Sequence, residues 1–362
     1  MELECKADFE RVLERFEAWW RCEIIDRPPV CIPIRSSRAP APPQKRHASR
    51  REKALDAEYQ IDCFEARIEG EVFVAESVPI FLPYAGTGVC STVFGCELEY
   101  GEHSVWSKPR VQSCREVPGI EPNLDNPYWN AVREMTRLSL ERGRGKWITG
   151  VTDMHTNGDL VADLRDPQQL CLDLVDDIES VRAACDHVTR YFPLMFDDLW
   201  KPIEAAGQPC TTWTPALHVG RSYPVSCDFI CMISPEMLAE TILPSIRAEC
   251  EFLDRSIFHL DGPGALKHLD ALLEIDKLDG VQWVYGAGNA PAAKWTDVYR
   301  KVQRAGKCIQ AICEDRSDAK ALAEHLSPEG VWFCVNEAVS LDEAEQFLRW
   351  CADWAAGKRS AR

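Results

Sequence analysis

The sequence predicts an α/β protein whose parallel strands close into a single (β/α)8 barrel, preceded by an N-terminal extension of helix and loop. Short strand-like runs alternate with longer helix-like runs, and such alternation is typical of a parallel sheet. There are eight strand-like runs, the number found in a (β/α)8 barrel. No Gly-x-Gly-x-x-Gly follows any of them, which counts against a Rossmann nucleotide site. The strand-like runs lie near residue 73 and at 147–151, 210–213, 225–229, 257–260, 281–284, 308–312 and 331–335. The helix-like runs occupy 167–190, 193–206, 235–253, 265–274, 291–304, 317–325 and 341–356.

The segment before the barrel combines a helix, a strand and a basic loop. Apolar residues on one side of 5–23 predict an amphipathic helix, and 30–34 predicts a strand. The Pro-rich, basic segment 35–51 is expected to be an exposed or mobile loop, or a lid over the barrel. The chain is therefore divided into an extension at 1–70, the barrel at 71–356 and a short polar tail at 357–362.

The composition indicates a folded protein, and we expect it to be cytoplasmic. Its 362 residues are 46% hydrophobic and 27% charged, as in globular domains. A formal net charge of −17 argues against nucleic acid or an anionic membrane as a partner. No run of 18 apolar residues occurs, and the N-terminus lacks the basic start and apolar stretch of a signal peptide. The 17 cysteines are scattered without a C-x-x-C pair, so we interpret most of them as small buried hydrophobic residues.

Polar residues follow several predicted strands, at the end where α/β barrels keep their chemistry. Asp153 and His155 follow the run at 147–151, and Asp228 lies in the run at 225–229. Several titratable groups that converge on one barrel end indicate a site. We expect these three residues to transfer protons or to contact substrate. Further residues expected to contact substrate are Trp213, His218, Tyr223, Gln282 and Glu337.

His259 and Asp261 carry the prediction of a metal site. Alternate residues of a strand point to the same side, so this His-x-Asp pair presents an imidazole beside a carboxylate. Cys334, from the last predicted strand, offers a soft third ligand. His, Cys and carboxylate together can hold Zn²⁺ with an open fourth position. The alternative is a hydrogen-bonded His–Asp pair, with Cys334 buried and inert.

Several motifs resemble the uroporphyrinogen decarboxylase-like superfamily, which includes the zinc-dependent corrinoid methyltransferases. The resemblance covers nearly the whole chain and implies a single (β/α)8 barrel. The motifs that carry it are Trp19-Trp20 before Arg27-Pro28-Pro29-Val30, PYAGTGVCSTVFG at 83–95, Gly158-Asp159-Leu160, Met232-Ile233-Ser234-Pro235, HLDGPGALKHLD at 259–270 and QWVYGAG at 282–288.

The methyltransferase branch of that superfamily implies a zinc enzyme that transfers a methyl group to or from a corrinoid. Its zinc is held by a His-x-Cys pair at one strand end and a Cys near the last strand. Here His259 matches the His, Asp261 stands in place of the first Cys, and Cys334 lies close to the second. The change from Cys to Asp makes the site harder. The expected partners are a small-molecule substrate, a separate carrier protein that holds the corrinoid, and a second copy of the chain in a homodimer.

The decarboxylase branch implies a different chemistry, without a metal. That branch binds substrate carboxylates through an arginine-rich segment, and two arginines, Arg35 and Arg38, stand at the matching spacing here. An aspartate after the first barrel strand orients pyrrole NH groups in that branch, whereas this chain has Glu76-Ser77-Val78-Pro79. A metal-free lyase on a carboxylated substrate is therefore the second hypothesis. A barrel that only binds a small ligand is the third.

Overall fold

A parallel sheet of six strands forms the centre of the protein, in a computed structural model that describes residues 1–35, 41 and 43–360. The strands are β1 (Val30–Cys31), β2 (Ile80–Phe81), β3 (Glu97–Tyr100), β4 (Val105–Lys108), β5 (Ile148–Thr149), β6 (Ser222–Ser226), β7 (Arg255–Asp261), β8 (Gly280–Val284), β9 (Cys308–Cys313) and β10 (Val331–Val335). The helices are α1 (Phe9–Trp19), α2 (Arg50–Leu55), α3 (Ala57–Ile68), α4 (Val89–Val93), α5 (Pro127–Arg142), α6 (Asn157–Arg165), α7 (Pro167–Asp176), α8 (Ile178–Thr189), α9 (Phe192–Ala205), α10 (Pro235–Thr241), α11 (Leu243–Phe252), α12 (Leu269–Leu273), α13 (Thr296–Arg304), α14 (Arg316–Ala323) and α15 (Leu341–Ser360). Within this described part of the chain, no helix is both long and apolar enough to cross a lipid bilayer.

The strand order confirms an α/β protein with a parallel sheet. The six strands run in the order β1-β10-β9-β8-β7-β6, all parallel, while β2 pairs with β5 and β3 with β4. Single backbone bonds extend this pattern: Glu76 N donates to Val30 O at 3.0 Å, and Val151 N donates to Thr211 O at 2.8 Å. Over the described residues, no continuous ladder joins the β2–β5 pair to the six-stranded sheet. A closed barrel therefore stays a prediction.

Some predicted strands were wrong in position, each for a local reason. The run near residue 73 is not a strand; a left-handed residue, Ala75 (φ 51°), interrupts it, and β2 follows only at residue 80. At 210–213 there is one isolated bridge, because Thr214 N bonds the Thr212 hydroxyl at 3.2 Å instead of a neighbouring strand. The run at 225–229 is displaced, since β6 ends at Ser226 and a 3₁₀ turn follows. Helix α6 is not among the predicted helices, because its first residues, Asn157, Gly158 and Asp159, form no apolar run.

Helix α1 covers the end of the sheet at which the strands begin. Its Trp19 indole donates to Ile309 O at 3.3 Å, and the Trp20 indole that follows the helix donates to Leu217 O at 2.9 Å. Phe16 and Trp19 pack in a buried apolar cluster with Trp332, near the start of β10. Aromatic burial of this kind contributes several kcal/mol to stability. This end is closed by apolar side chains, so the chemistry must lie at the opposite end.

Candidate active site

The ends of β6 and β7 opposite helix α1 bring three predicted site residues together. One ligand atom each of Asp228, His259 and Asp261 lies within 4.8 Å of the other two. His259 Nε2 is 4.0 Å from an Asp228 carboxylate oxygen. His259 and Asp261 lie on β7, and Asp228 follows β6, which pairs with β7 in register. This pairing explains how residues 31 positions apart come to share one site.

The ring of His259 is fixed on two sides. The edge of the ring meets Trp213 with the centroids 4.9 Å apart and the planes at 87°. Its Nδ1 bonds Gln282 Oε1, while Gln282 Nε2 donates to Gln310 Oε1 at 2.8 Å. A carbonyl oxygen only accepts, so in this arrangement Nδ1 carries the proton. In the neutral ring, the lone pair of Nε2 then faces Asp228. An imidazole with a free lone pair on Nε2 is the form that binds a metal.

A second group, Asp153, His155 and Asp159, lies beside the first, in the loop after β5 and the start of α6. His155 Nε2 lies 3.3 Å from Asp153, and His155 Nδ1 lies 3.3 Å from Asp159. Burial opposes the charged imidazolium, but hydrogen bonds to the two carboxylates outweigh it and raise the pKa of His155 well above its ordinary value. The two carboxylates therefore favour the charged form of His155.

Asp159 connects the two groups, although it was not among the predicted site residues. Its carboxylate accepts the backbone N–H groups of Asp228 and Phe229, both at 2.9 Å. Burial works against the Asp159 carboxylate, but His155 and these two N–H groups lower its pKa below the ordinary value. The motif Gly158-Asp159-Leu160 was recognised in the sequence, but nothing there indicated that the carboxylate would hold the turn after β6. We call Asp153, His155, Asp159, Asp228, His259 and Asp261 together the acidic mouth.

Asp228 lies close to two other carboxyl groups, those of Asp159 and Asp261. Its side chain is 51% exposed, yet loss of water and the charges of Asp159 and Asp261 raise its pKa, against the opposing effect of the two histidines. A cavity of about 430 Å³ adjoins it, and His155, Asp159 and Asp163 line the same cavity. Burial raises the pKa of Asp163 to about 6. The cavity is large enough for a small substrate next to the carboxylates.

Cys334 does not join His259 and Asp261, contrary to the expected three-ligand set. Within the described residues it belongs to no cluster of ligand atoms within 4.8 Å. Its Sγ instead accepts from Gln310 Nε2 at 3.4 Å, so two glutamines separate it from His259. It lines a different cavity, of about 490 Å³, beside its register partner Cys31. The stagger of β10 against β9 places Cys334 opposite Ile312 rather than opposite Gln310.

Two other predicted substrate residues have structural partners instead. His218 lies at the closed end, where its Nδ1 is 2.8 Å from Glu17 of α1. The chain reverses there, since Cys210 and His218 form an antiparallel bridge, and this reversal carries His218 away from the acidic mouth. Tyr223 is buried on β6, and its hydroxyl accepts Met154 N–H and donates to Thr152 O at 3.3 Å. It supports the loop that carries Asp153 and His155 without facing the cavity.

Of the remaining predicted residues, Glu337 and Arg35 lie near β10, and Arg38 is not among the residues that the structure describes. Glu337 accepts from Arg316 Nε at 2.9 Å, and this cation lowers the pKa of the Glu337 carboxyl. Arg35 is exposed and donates to Ala338 O at 3.0 Å, with Glu343 at 3.8 Å. Arg38 lies outside the described residues, as does most of 36–42, so the lid expected at 35–51 stays a prediction.

Comparison with known proteins relates the chain to a methyltransferase by its fold. No family model matches the sequence, and no curated protein matches it either. Among solved structures, the chain is similar to a methyltransferase from Methanosarcina mazei, with a TM-score of 0.60 and 16% sequence identity. The similarity covers 94% of this chain and 98% of that one. The two proteins therefore share a fold over nearly their whole length, while membership of the uroporphyrinogen decarboxylase-like superfamily stays a prediction.

Proposed function

We propose that this protein is a metal-dependent methyltransferase of the uroporphyrinogen decarboxylase-like superfamily, built on a closed (β/α)8 barrel. The observation that carries the proposal is the meeting of Asp228, His259 and Asp261 at the open end of the sheet. Its fold, shared with a methyltransferase, supports the reaction class. The corrinoid that takes or gives the methyl group would be held by a separate carrier protein.

The three side chains fit a divalent metal ion, zinc first. Zn²⁺ accepts imidazole nitrogen and carboxylate oxygen, and catalytic zinc sites keep three protein ligands and one open position. His259 presents a free Nε2 lone pair, and its other nitrogen is held by Gln282, as is usual for a metal-bound histidine. The set lacks a thiolate, so it is harder than the zinc site implied by the resemblance. When bound, the ion would polarise a substrate heteroatom or hold it deprotonated.

The other residues of the acidic mouth bind and orient the substrate. The imidazolium form of His155, with one N–H toward Asp153 and the other toward Asp159, keeps a proton close to the cavity. It can give that proton to a leaving group or attract an anionic part of the substrate. Asp159 fixes the turn at Asp228 through two backbone N–H groups, and so keeps that carboxylate in reach of His259.

No observation favours the metal-free lyase. Its carboxylate clamp requires free guanidinium groups, but Arg35 already contacts Ala338 O and Glu343. The buried carboxylate after residue 75, Glu76, is bound by Arg15 and Arg27, so it cannot orient a substrate.

Methyl transfer between free methylcobalamin and a small thiol, followed by the absorbance of the corrinoid, tests the proposal. We expect added Zn²⁺ to stimulate the reaction. Loss of a residue that hydrogen-bonds a metal ligand typically reduces activity about 10- to 100-fold. Loss of a ligand itself, in His259→Ala or Asp261→Ala, should reduce the rate by more than this. His103→Ala is the matched control, because this histidine is exposed in the β3–β4 hairpin. Wild-type rates in His259→Ala would contradict the proposal.

A further inference from the structure

Four side chains on four neighbouring strands form a continuous hydrogen-bonded relay. His259 on β7 bonds Gln282 on β8, which donates to Gln310 on β9 at 2.8 Å, and Gln310 donates to Cys334 on β10 at 3.4 Å. His259, Gln282 and Gln310 stand opposite one another in the strand register. The relay thus joins the acidic mouth to the cavity that Cys334 lines.

The orientation of each glutamine amide in the relay fixes the orientation of the next. A glutamine amide has one accepting and one donating end, so an amide oriented at one end of the relay dictates the orientation of the next. Cys334 Sγ accepts the N–H of Gln310, which leaves Gln310 Oε1 to accept from Gln282. Gln282 then offers only its oxygen to His259 Nδ1. Both glutamines are buried, 3% and 2% exposed, and Gln310 also lines the cavity beside Cys334.

Asp228 acts on His259 in the opposite sense. A carboxylate only accepts, so Asp228, 4.0 Å from Nε2, favours the tautomer with the proton on Nε2. That tautomer has no lone pair to give to a metal at the acidic mouth. The relay favours a proton on Nδ1, and a reversed Gln282 amide would remove this preference. Asp228 and the relay therefore favour opposite tautomers of His259, the first with the proton on Nε2 and the second with the proton on Nδ1.

We propose that Gln310 and Cys334 are positioning residues that hold His259 as its Nδ1–H tautomer through the amide of Gln282. Cys334 acts on the acidic mouth at a distance of two side chains and not as a ligand. The consequence for metal affinity rests on the proposed function, whereas the tautomer does not depend on it.

Nitrogen NMR on protein labelled with ¹⁵N-histidine, prepared without metal at about pH 8, measures the tautomer directly, because an ordinary imidazole is neutral there. The His259 signals are assigned by their absence from His259→Ala, among eight histidines in the chain. We expect a protonated Nδ1 and an unprotonated Nε2 in the wild type. A wild-type protein with the proton on Nε2 would overturn the proposal without any variant.

Variants then test the relay itself. Gln310→Leu and Cys334→Ala should shift His259 toward the Nε2–H form, while Cys334→Ser, which keeps an accepting atom, should restore the wild-type signals. Cys171→Ala is the control, because Cys171 is a partly exposed cysteine on α7 that belongs neither to the relay nor to the two cavities that the relay joins. Unchanged tautomers in both Gln310→Leu and Cys334→Ala would overturn the proposal, and if either fails to fold, the wild-type and Cys334→Ser signals decide.

Zinc titration of the same proteins separates this proposal from the proposed function. Loss of the relay should weaken Zn²⁺ binding by about 10- to 100-fold, the effect typical of a partner behind a metal ligand. If the tautomer shifts as expected but the wild type binds no Zn²⁺, the relay stands and the metal site does not. If the wild type binds Zn²⁺ while Gln310→Leu alters neither tautomer nor affinity, the metal site stands and the relay does not.

Discussion

Glu249 makes the stability of the protein depend on pH. This carboxyl, on α11, is buried, and its Oε2 accepts from Asn157 Nδ2 at 3.0 Å. Asn157 starts α6 in the left-handed region, at φ 48°, where asparagine is among the better tolerated residues. Burial raises the pKa of Glu249 from 4.5 to about 8, the bonds from Thr156 and Asn157 oppose this rise, and the charge of Asp159 adds to it.

The sign and size of the effect follow from that raised pKa. Between pH 4.5 and about 8, the unfolded chain has released this proton and the folded chain has kept it. The folded state binds more protons, so its stability falls as pH rises through this range and levels off above it. Each pH unit costs about 1.4 kcal/mol for one proton. From about pH 5.5 to about 7.5, Glu249 alone should lower the free energy of unfolding by about 2–3 kcal/mol.

Urea unfolding of the wild type and of Glu249→Gln at these two pH values measures the difference. The amide keeps a hydrogen-bonding group but cannot ionise, so Glu249→Gln should lose about 2–3 kcal/mol less than the wild type over the interval. Glu251→Gln, on the exposed face of the same helix, should leave the pH dependence of the wild type unchanged. Identical pH dependences for the wild type and Glu249→Gln would refute the reasoning.

Three further predictions concern other parts of the chain. Glu76→Gln should lower the free energy of unfolding by about 3–5 kcal/mol, because Arg15, at 2.9 Å, and Arg27, at 2.6 Å, would lose the buried anion that they bind. A loss under about 1 kcal/mol, measured by urea unfolding, would contradict this. Tyr223→Phe should cost about 1–3 kcal/mol in the same measurement, since Met154 N–H would lose its buried acceptor, and an unchanged midpoint would count against that role. Cys22 should react with limiting iodoacetamide before Cys5. The thiol of Cys308, whose Sγ is 3.2 Å from that of Cys22, lowers the pKa of Cys22, whereas burial raises the pKa of Cys5. Cys308→Ala should slow the labelling of Cys22, as mass spectrometry would show, and equal or faster labelling would be the contrary result.

The strands most easily predicted were those buried on both faces. The apolar runs that became β7, β8, β9 and β10 appear in the structure within two residues of their predicted limits, because parallel strands covered by helices are almost continuously apolar. Strand β6 was displaced because its first residues, Ser222 to Pro224, do not form an apolar run, although the structure buries them. Apolar content therefore located the sheet but not the limits of every strand.

The site was predictable only where its residues lie within one strand or next to it. His259 and Asp261 were found together because alternate residues of a strand share a side. Their distance to Cys334 depends on the stagger between strands, which no single sequence encodes locally, and two glutamines turned out to lie between. The hydrogen bonds of Asp159 and Gln310 were not predicted for the same reason, since both residues contact elements far away in the chain.

Anomalous X-ray diffraction at the zinc absorption edge, from crystals grown with Zn²⁺, tests the metal site most directly. We predict one dominant peak at about 2.0–2.2 Å from His259 Nε2 and from carboxylate oxygens of Asp228 and Asp261, with no peak bonded to Cys334 Sγ. A zinc ion bonded to Cys334, or the absence of any peak at His259, would contradict the site proposed for this protein.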